Sequence, residues 1–456
     1  MAVCVRPQHV CSRPAAQPQD QVQVQRHLSR NYTALLAHGM LGQTGFRLVN
    51  APTFMPAYLM LLSGGNEFVV GLGLSLQALG MTLTPFLAAN LIAHRPRVLP
   101  VGFVSGGLMR STILLIALSG FFLEGRAALI GVLVSLTLLG VFSGMQGVIF
   151  NFLNSKIIPV SKRGRLTGMR NFLAGIVSAT VAWISGNWLL GTSPDVLGYS
   201  WTFLLGFVLT SIGLLMLIAV KEPEPPELRE KQPLGESLRD IPGLLRSDPA
   251  FTRYFLARAL ATMGRMAMPF YILYAGLSIG LDGPTLGILT FVFTMASTVS
   301  NLAWGAIADR TGFRFTFLVS LIIWIAATAF LMLADGLWVA LIVFTGIGAA
   351  VQGFQNSSQN LTLEFGERAD LPARIAVANT ASELAGTIGP LLGGALAALL
   401  FRPSPDPPHA GSGCHALLSR HRHGQTRGRF PVSATQLSKT DKIDIPVKYP
   451  IHNLSS

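Results

Sequence analysis

The sequence predicts an all-α multi-pass membrane protein, built from two pseudo-symmetric six-helix bundles of which the last helix is missing. Three observations predict this class: long apolar runs, a one-sided distribution of Lys and Arg between them, and a pattern that recurs in both halves. Half of the 456 residues are hydrophobic and 12% are charged, whereas soluble domains carry about 25% charged residues. The composition therefore excludes a soluble cytosolic enzyme, a disordered chain and a disulfide scaffold.

Eleven segments are long and apolar enough to span a bilayer, which takes about 20 residues in a helix. Their apolar residues do not alternate with polar ones, so the segments predict helices and not barrel strands. The predicted spans are 32–62, 67–90, 98–122, 127–154, 167–190, 200–220, 253–279, 284–306, 315–334, 337–361 and 374–400. The polar stretch 221–252 divides the chain into an N-terminal bundle, 32–220, and a C-terminal bundle, 253–400.

Basic residues predict the orientation. The tail 1–31, the linker 221–252 and every second loop are rich in Lys and Arg, whereas the alternate loops up to residue 400 contain only Arg126. Cytoplasmic loops carry the excess of Lys and Arg, so we expect an inner-membrane protein with a cytoplasmic N-terminus and linker. The basic cytoplasmic segments then account for the net charge of +13, and no nucleic-acid partner is expected.

The two halves resemble each other. Gln146-Gly147 and Asn154 of the fourth span recur, in the same order and spacing, as Gln352-Gly353 and Asn360 of the tenth. Arg47 precedes Pro52 in the first span, and Arg265 precedes Pro269 in the seventh. This common order favours a duplication over coincidence.

The C-terminal tail departs from that duplication. Residues 401–456 are polar and basic, and no apolar segment in them replaces the twelfth span. A frameshifted or truncated end and a genuine eleven-span protein are both compatible with this tail.

The loop after the eighth span carries a recognisable motif. It reads Gly305-Ala-Ile-Ala-Asp309-Arg310-Thr-Gly312-Phe-Arg314, which resembles the G-x-L-A-D-R-x-G-R-K/R signature of the major facilitator superfamily. The resemblance covers residues 30–400 and implies a secondary transporter that works by alternating access. It also implies that this motif is a cytoplasmic gate, with Asp309 near Arg165 and Arg170 at the start of the fifth span. The alternative is an ordinary charged loop.

Polar side chains within the spans are the candidates for a substrate site, because ionisable groups inside the hydrocarbon are costly and usually functional. Gln43, Arg47 and Asn50 share one helix face. In the family, spans one, four, seven and ten line the central cavity. The resemblance therefore implies a cavity lined by Gln43, Arg47, Asn50, Gln146, Arg265, Gln352 and Asn356.

Each of these residues also has a structural interpretation. Paired arginines suit an anionic substrate, but Arg47 and Arg265 are equally compatible with buried groups bonded to carbonyls or amides. For the Gln and Asn residues, hydrogen bonding between helices is the leading alternative. We expect Arg110, in a supporting span, to turn toward a polar partner and to be structural.

Glu383 is the candidate for proton coupling, since it is the only acid deep within a predicted span. A buried carboxyl can bind and release a proton as access alternates. A salt bridge or a hydrogen bond between the halves is the competing interpretation.

The sequence thus predicts a monomeric transporter in the bilayer for a small solute, and it leaves open whether the solute is anionic and whether transport is coupled to protons. No Walker motif, metal-ligand spacing or nucleophile arrangement is present, so neither an enzyme, a cofactor nor a metal is predicted. The alternatives are a non-transporting membrane sensor or assembly factor, and an inactive remnant, on the same scaffold.

Overall fold

The computed structural model describes residues 18–93, 95, 97–223, 246, 248–333, 336–362 and 371–400, and the regular secondary structure of these residues is helical. Their α-helices are α1 (Pro18–Gly42), α2 (Thr44–Asn50), α3 (Phe54–Leu62), α4 (Glu67–Ala93), α5 (Leu99–Phe122), α6 (Gly125–Ile157), α7 (Val160–Ile184), α8 (Val196–Leu215), α9 (Pro249–Met263), α10 (Met268–Ile279), α11 (Gly283–Thr311), α12 (Phe313–Leu333), α13 (Leu337–Thr362) and α14 (Leu371–Leu400). A π-helical segment, Ser185–Leu190, extends α7.

Eight helices in this described part are long and apolar enough to cross a membrane. The predicted first span is interrupted twice, giving α1, α2 and α3, and the predicted seventh is divided between α9 and α10. The predicted second span lies in α4, whose first part, Glu67–Thr82, is apolar. The helix α1 begins at Pro18, before the predicted start at residue 32, because hydropathy marks only the apolar part of a helix that continues into polar sequence. The count of eleven spans stays a prediction, and the tail 401–456 lies outside the described residues.

The helices pair in the same way in the two halves. In the first half α4 packs on α6, α6 on α5, and α1 on α7. In the second half α11 packs on α13, α13 on α12, and α9 on α14. The halves meet where α4 packs on α14 and α7 packs on α11. This repeated pairing agrees with the duplication that the sequence predicts.

Aromatic side chains fill the interior of both halves. In the first half Tyr58 stacks on Tyr199, with ring centroids 4.8 Å apart, and both side chains are buried. In the second half the Trp324 indole donates a hydrogen bond to the hydroxyl of Tyr271 at 3.1 Å. Such rings bury a large apolar area, and the Trp324–Tyr271 pair also satisfies its polar groups.

Glu222 fixes the start of the linker to the first bundle. Its carboxylate accepts hydrogen bonds from the backbone N–H groups of Val98 (2.9 Å) and Leu99 (2.8 Å), at the start of α5. It also pairs with Lys156 of α6 at 2.7 Å, and only 3% of the Glu222 side chain is exposed. A carboxylate at a helix N-terminus satisfies free N–H groups and opposes the helix dipole. We call the end of the molecule that contains Glu222 the linker end, and the opposite end the far end.

Candidate functional site

The candidate site lies where two spanning helices are interrupted. Pro52 follows α2, which carries Arg47, and Pro269 lies in the first turn of α10. Proline lacks a backbone N–H and fits only the first turn of a helix without a break. Arg265 lies in the 3₁₀ turn Gly264–Ala267 that separates α9 from α10, but its side chain is outside the described residues. Interrupted helices near the midplane are where transporters build their sites.

A cavity of about 460 Å³ lies between the two halves at these interruptions. Its walls come from α2, α3 and α4 of the first half and from α10, α11, α13 and α14 of the second. The polar residues lining it are Arg47, Asn50, Gln77, Ser297, Gln352, Gln355 and Glu383. The remaining lining is apolar, with Phe46, Met81, Met268, Phe293 and Val351 among its members. An apolar pocket with a few convergent polar groups is typical of small-molecule sites.

A second cavity of about 180 Å³ lies next to the first. Arg47, Ser297 and Gln352 line both cavities, so these three side chains form the boundary between them. The second cavity is otherwise lined by residues of α7 and α11, including Asn171 and Asn301. We call the larger space the main cavity and the smaller one the inner cavity.

Arg47 is the cation shared by both cavities. Its Nε and one terminal nitrogen donate to the side-chain oxygen of Gln43, at 3.4 and 3.3 Å. Gln43 lies one helical turn before Arg47, so this contact orients the guanidinium without neutralising it. Among the residues that the structure describes, Arg47 forms no ion pair. A half-buried arginine held by an amide retains donors for an anionic ligand.

Asn50 is held from a neighbouring helix. Its side-chain oxygen accepts a hydrogen bond from Gln77 of α4 at 3.1 Å, and its amide donates to the carbonyl of Phe46 at 2.8 Å. Gln77 is buried, with 3% of its surface exposed, so this pair also joins α2 to α4 at the cavity wall.

An amide network forms the opposite wall. Gln352 donates to the side-chain oxygen of Asn356 at 2.9 Å, and Asn356 in turn donates to Asn301 of α11. The structure thus brings Gln352 to the same cavities as Arg47 and places Asn356 behind it. Sequence reasoning missed Ser297 and Asn301; their spacing of one helical turn within an apolar span was the signal available.

Gln146 lies elsewhere. Its side-chain oxygen accepts a hydrogen bond from Ser105 of α5 at 2.6 Å, and it lines neither the main nor the inner cavity. This contact agrees with the alternative that the sequence left open, a hydrogen bond between helices. Arg110 is also structural: its guanidinium donates to the carbonyls of Thr210 (2.7 Å), Gly106 (2.7 Å) and Gly42 (3.3 Å).

Glu383 of α14 lines the main cavity together with Arg47 and Gln352. It is half-buried, and its backbone carbonyl accepts a hydrogen bond from Thr387 at 2.9 Å. The structure therefore places the one candidate acid and the shared arginine on the same cavity.

The gate motif is exposed at the linker end. Gly312 ends α11 with φ +84°, and its N–H donates to the carbonyl of Ala308 at 2.8 Å, which explains why the motif needs a glycine there. The residues Gly305, Asp309, Arg310, Gly312 and Arg314 are exposed.

The ion pairs predicted for that motif are not formed in this conformation. Asp309 makes no hydrogen bond or ion pair with another described residue. Arg165 is exposed at the start of α7. Arg170 places its guanidinium 4.5 Å from the centre of the Phe150 ring instead, and its Nε has no hydrogen-bond partner among the described residues.

The far end is closed by backbone contacts between the halves. The N–H of Gly283, at the start of α11, donates to the carbonyl of Gly191 at 2.7 Å. Gly394 of α14 and Gly71 of α4 also lie backbone to backbone, since a β-carbon on Gly394 would lie 3.2 Å from the Cα of Gly71. The inner cavity lies between α7 and α11 nearer the linker end. The conformation described is therefore closed at the far end.

Comparison with known proteins agrees with this architecture. The family model described as Major Facilitator Superfamily matches residues 40–278 and 254–403. No curated protein sequence matches the chain.

Solved structures of transporters share the fold. The nucleoside transporter NupG is 12% identical, with a TM-score of 0.62, over 81% of this chain and 92% of that one. The D-xylose-proton symporter is 14% identical, with a TM-score of 0.62, over 80% and 89%. A bacterial homologue of the human lysosomal transporter Spinster, inward-facing and unoccupied, is 13% identical, with a TM-score of 0.56, over 84% of each chain. Identities this low show the fold alone.

Two helical bundles around a shared polar cavity define a multi-pass membrane transporter. The chain belongs to the Major Facilitator Superfamily, because the family model covers most of its length. The predicted class, an all-α membrane protein of this superfamily, and the resemblance drawn from the Asp309 loop are thereby confirmed, while the number of spans stays a prediction.

Proposed function

We propose that this chain moves a small anionic solute across the inner membrane by secondary active transport. Arg47 carries the proposal: it is half-buried, lines both cavities, and has an amide as its hydrogen-bond partner. A guanidinium presents its donors in a fork that matches a carboxylate or a phosphate. The Gln352 and Ser297 side chains beside it supply neutral hydrogen-bonding groups for the rest of the solute.

The proposal extends to the route. In the conformation described, the far end is closed and the inner cavity lies between Arg47 and the linker end. With the linker in the cytoplasm, as the basic loops predict, this is an inward-facing state. Alternating access then requires the glycine contacts at the far end to separate and the linker end to close.

We further propose that Glu383 couples the solute to protons. It lines the same cavity as Arg47, so its charge state affects the binding of an anion there. Protonation of the carboxylate removes a negative charge from the cavity and so favours the binding of an anionic solute there. Binding of the solute favours protonation by the same factor, so the proton and the solute would cross the membrane together.

A solute screen followed by one substitution tests the proposal. Purified protein is heated in detergent with carboxylates, organic phosphates, nucleosides and sugars, because a ligand that binds only the folded state raises the unfolding temperature. Solutes that do so are then measured for uptake into proteoliposomes.

The Arg47→Gln variant distinguishes an anionic solute from a neutral one. We expect it to weaken binding about 10- to 100-fold, since a hydrogen bond to a charged group contributes about 1.5–3 kcal/mol. Arg126→Gln, in an exposed position at the far end, is the matched control. Stabilisation by neutral solutes alone, or unchanged affinity in Arg47→Gln, would contradict the anionic substrate.

A further inference from the structure

A third cavity, of about 620 Å³, lies at the linker end between α1 and α7. We call it the mouth cavity. Among its lining residues are Leu28, Ser29, Tyr32 and Thr33 of α1, and Lys162 and Arg165 of α7. Among the described residues that line it there is no carboxylate.

The two cations of the mouth cavity are available to a ligand. Lys162 and Arg165 are exposed, and neither forms an ion pair with another described residue. They lie one helical turn apart on α7, so both can reach the same anionic group. The hydroxyl groups of Ser29 and Thr33 stand on the facing helix.

The helices that line the mouth cavity continue to the region of Arg47. On α7, Arg165 is followed two turns later by Phe172, which shares its helix face and lines the inner cavity together with Arg47. Along the axis of α7, Lys162 is nine residues, about 14 Å, from Asn171 of the inner cavity. On the facing side, α1 ends at Gly42, directly before Gln43, the residue that holds Arg47.

We propose that the mouth cavity binds the acidic group of the solute, a carboxylate or a phosphate, before the solute passes to Arg47. This inference rests on the proposed function. Lys162 and Arg165 supply charge-assisted hydrogen bonds, and two cations at an opening raise the local concentration of anions. Because the cavity is open to water, salt screens the attraction and binding is weak.

The surrounding surface is also basic. The pKa of His27, on the neighbouring face of α1, is lowered first by loss of water around the imidazole and then by repulsion from Arg30, Lys221 and Arg26. These cations near the opening therefore disfavour a further positive charge. The same positive charge attracts anions.

Amine acylation of the purified protein tests the site without a transport assay. In vesicles of phosphatidylcholine, a water-soluble acylating reagent is applied with increasing orthophosphate or citrate, and each modified lysine is quantified by mass spectrometry. We expect citrate to slow the acylation of Lys162 about three- to tenfold. Lys221, exposed at the linker end but outside the lining of the mouth cavity, is the matched control, and its rate should fall less than that of Lys162. In the Arg165→Gln variant the protection of Lys162 should be lost.

Three results would overturn the proposal. Lys162 and Lys221 could be slowed equally, which would mean screening by salt. Lys162 could stay unprotected by either anion. Protection could also occur only when phosphatidylglycerol is added to the vesicles, which would assign the cavity to a lipid headgroup.

The two proposals fail separately. If Arg47→Gln weakens solute binding while Lys162 stays unprotected, the mouth site is wrong and the anionic substrate stands. If Lys162 is protected and Arg47→Gln has no effect, the mouth site stands and the role of Arg47 is wrong.

Discussion

Gly186 of the π-helical extension of α7 and Gly283 of α11 lie so close that a β-carbon added to either would overlap the other's carbonyl oxygen. Gly287 continues this contact, since its added β-carbon would lie 3.0 Å from the Cα of Gly186. Small residues let two spanning helices approach backbone to backbone. The inner cavity lies between the same two helices nearer the linker end, so the glycine contact closes the far end beyond it.

Asp309→Asn tests the gate at the linker end. Because Asp309 is exposed and unpaired with any other described residue in this conformation, we expect the substitution to leave thermal stability unchanged. Transport should fall several-fold if Asp309 pairs with basic residues of α7 once the linker end closes. Uptake into proteoliposomes and the unfolding temperature of the same preparation measure the two effects. Normal uptake at normal expression would show that the loop is only a charged turn.

Glu383→Gln tests proton coupling. The variant keeps the size of the side chain in the main cavity but cannot release a proton at physiological pH. We expect exchange of labelled for unlabelled solute to continue. Accumulation of the solute driven by a pH gradient should fall to the level measured in vesicles without a gradient. Wild-type protein in the same vesicles is the reference. Accumulation that still follows the gradient in the variant would remove Glu383 from the coupling.

Glu222→Gln tests the attachment of the linker. The buried carboxylate accepts hydrogen bonds at the start of α5 and pairs with Lys156, so its loss should lower stability by about 2 kcal/mol. A lower unfolding temperature in detergent measures this. Glu124→Gln is the matched control, because Glu124 precedes α6 without a side-chain capping bond. Equal unfolding temperatures for the two variants would contradict the structural role.

The sequence predicts the helices well because a long apolar run specifies both their existence and their length. It does not predict the interruptions: Pro52 and Pro269 are visible, but a proline in a spanning helix can produce a kink or a complete break. Only the packing decides between these outcomes.

Helix orientation limits what can be predicted about the site. The helix face that carries Gln43, Arg47 and Asn50 could be identified from their spacing. The residues of other helices that this face contacts could not. Gln146 has the same polarity as Gln352, but the rotation of α6 directs it to Ser105. Whether Asp309 contacts Arg165 depends on the conformation of the transporter, and the sequence does not say which conformation is adopted.

The most direct test of a pathway between the bundles is the sidedness of a cysteine at Ser297, which lines both the main and the inner cavity. Cys4, Cys11 and Cys414 are replaced by serine, and a membrane-impermeant thiol reagent is applied from one side at a time. We expect Ser297→Cys to react mainly from the linker end. Adding Gly287→Leu, which obstructs closure of the far end, should raise the rate from the far end several-fold. Gly107→Leu, whose β-carbon meets open space, should not. No reaction from either side, or the same rates with Gly287→Leu as with Gly107→Leu, would contradict a pathway that opens alternately to the two ends.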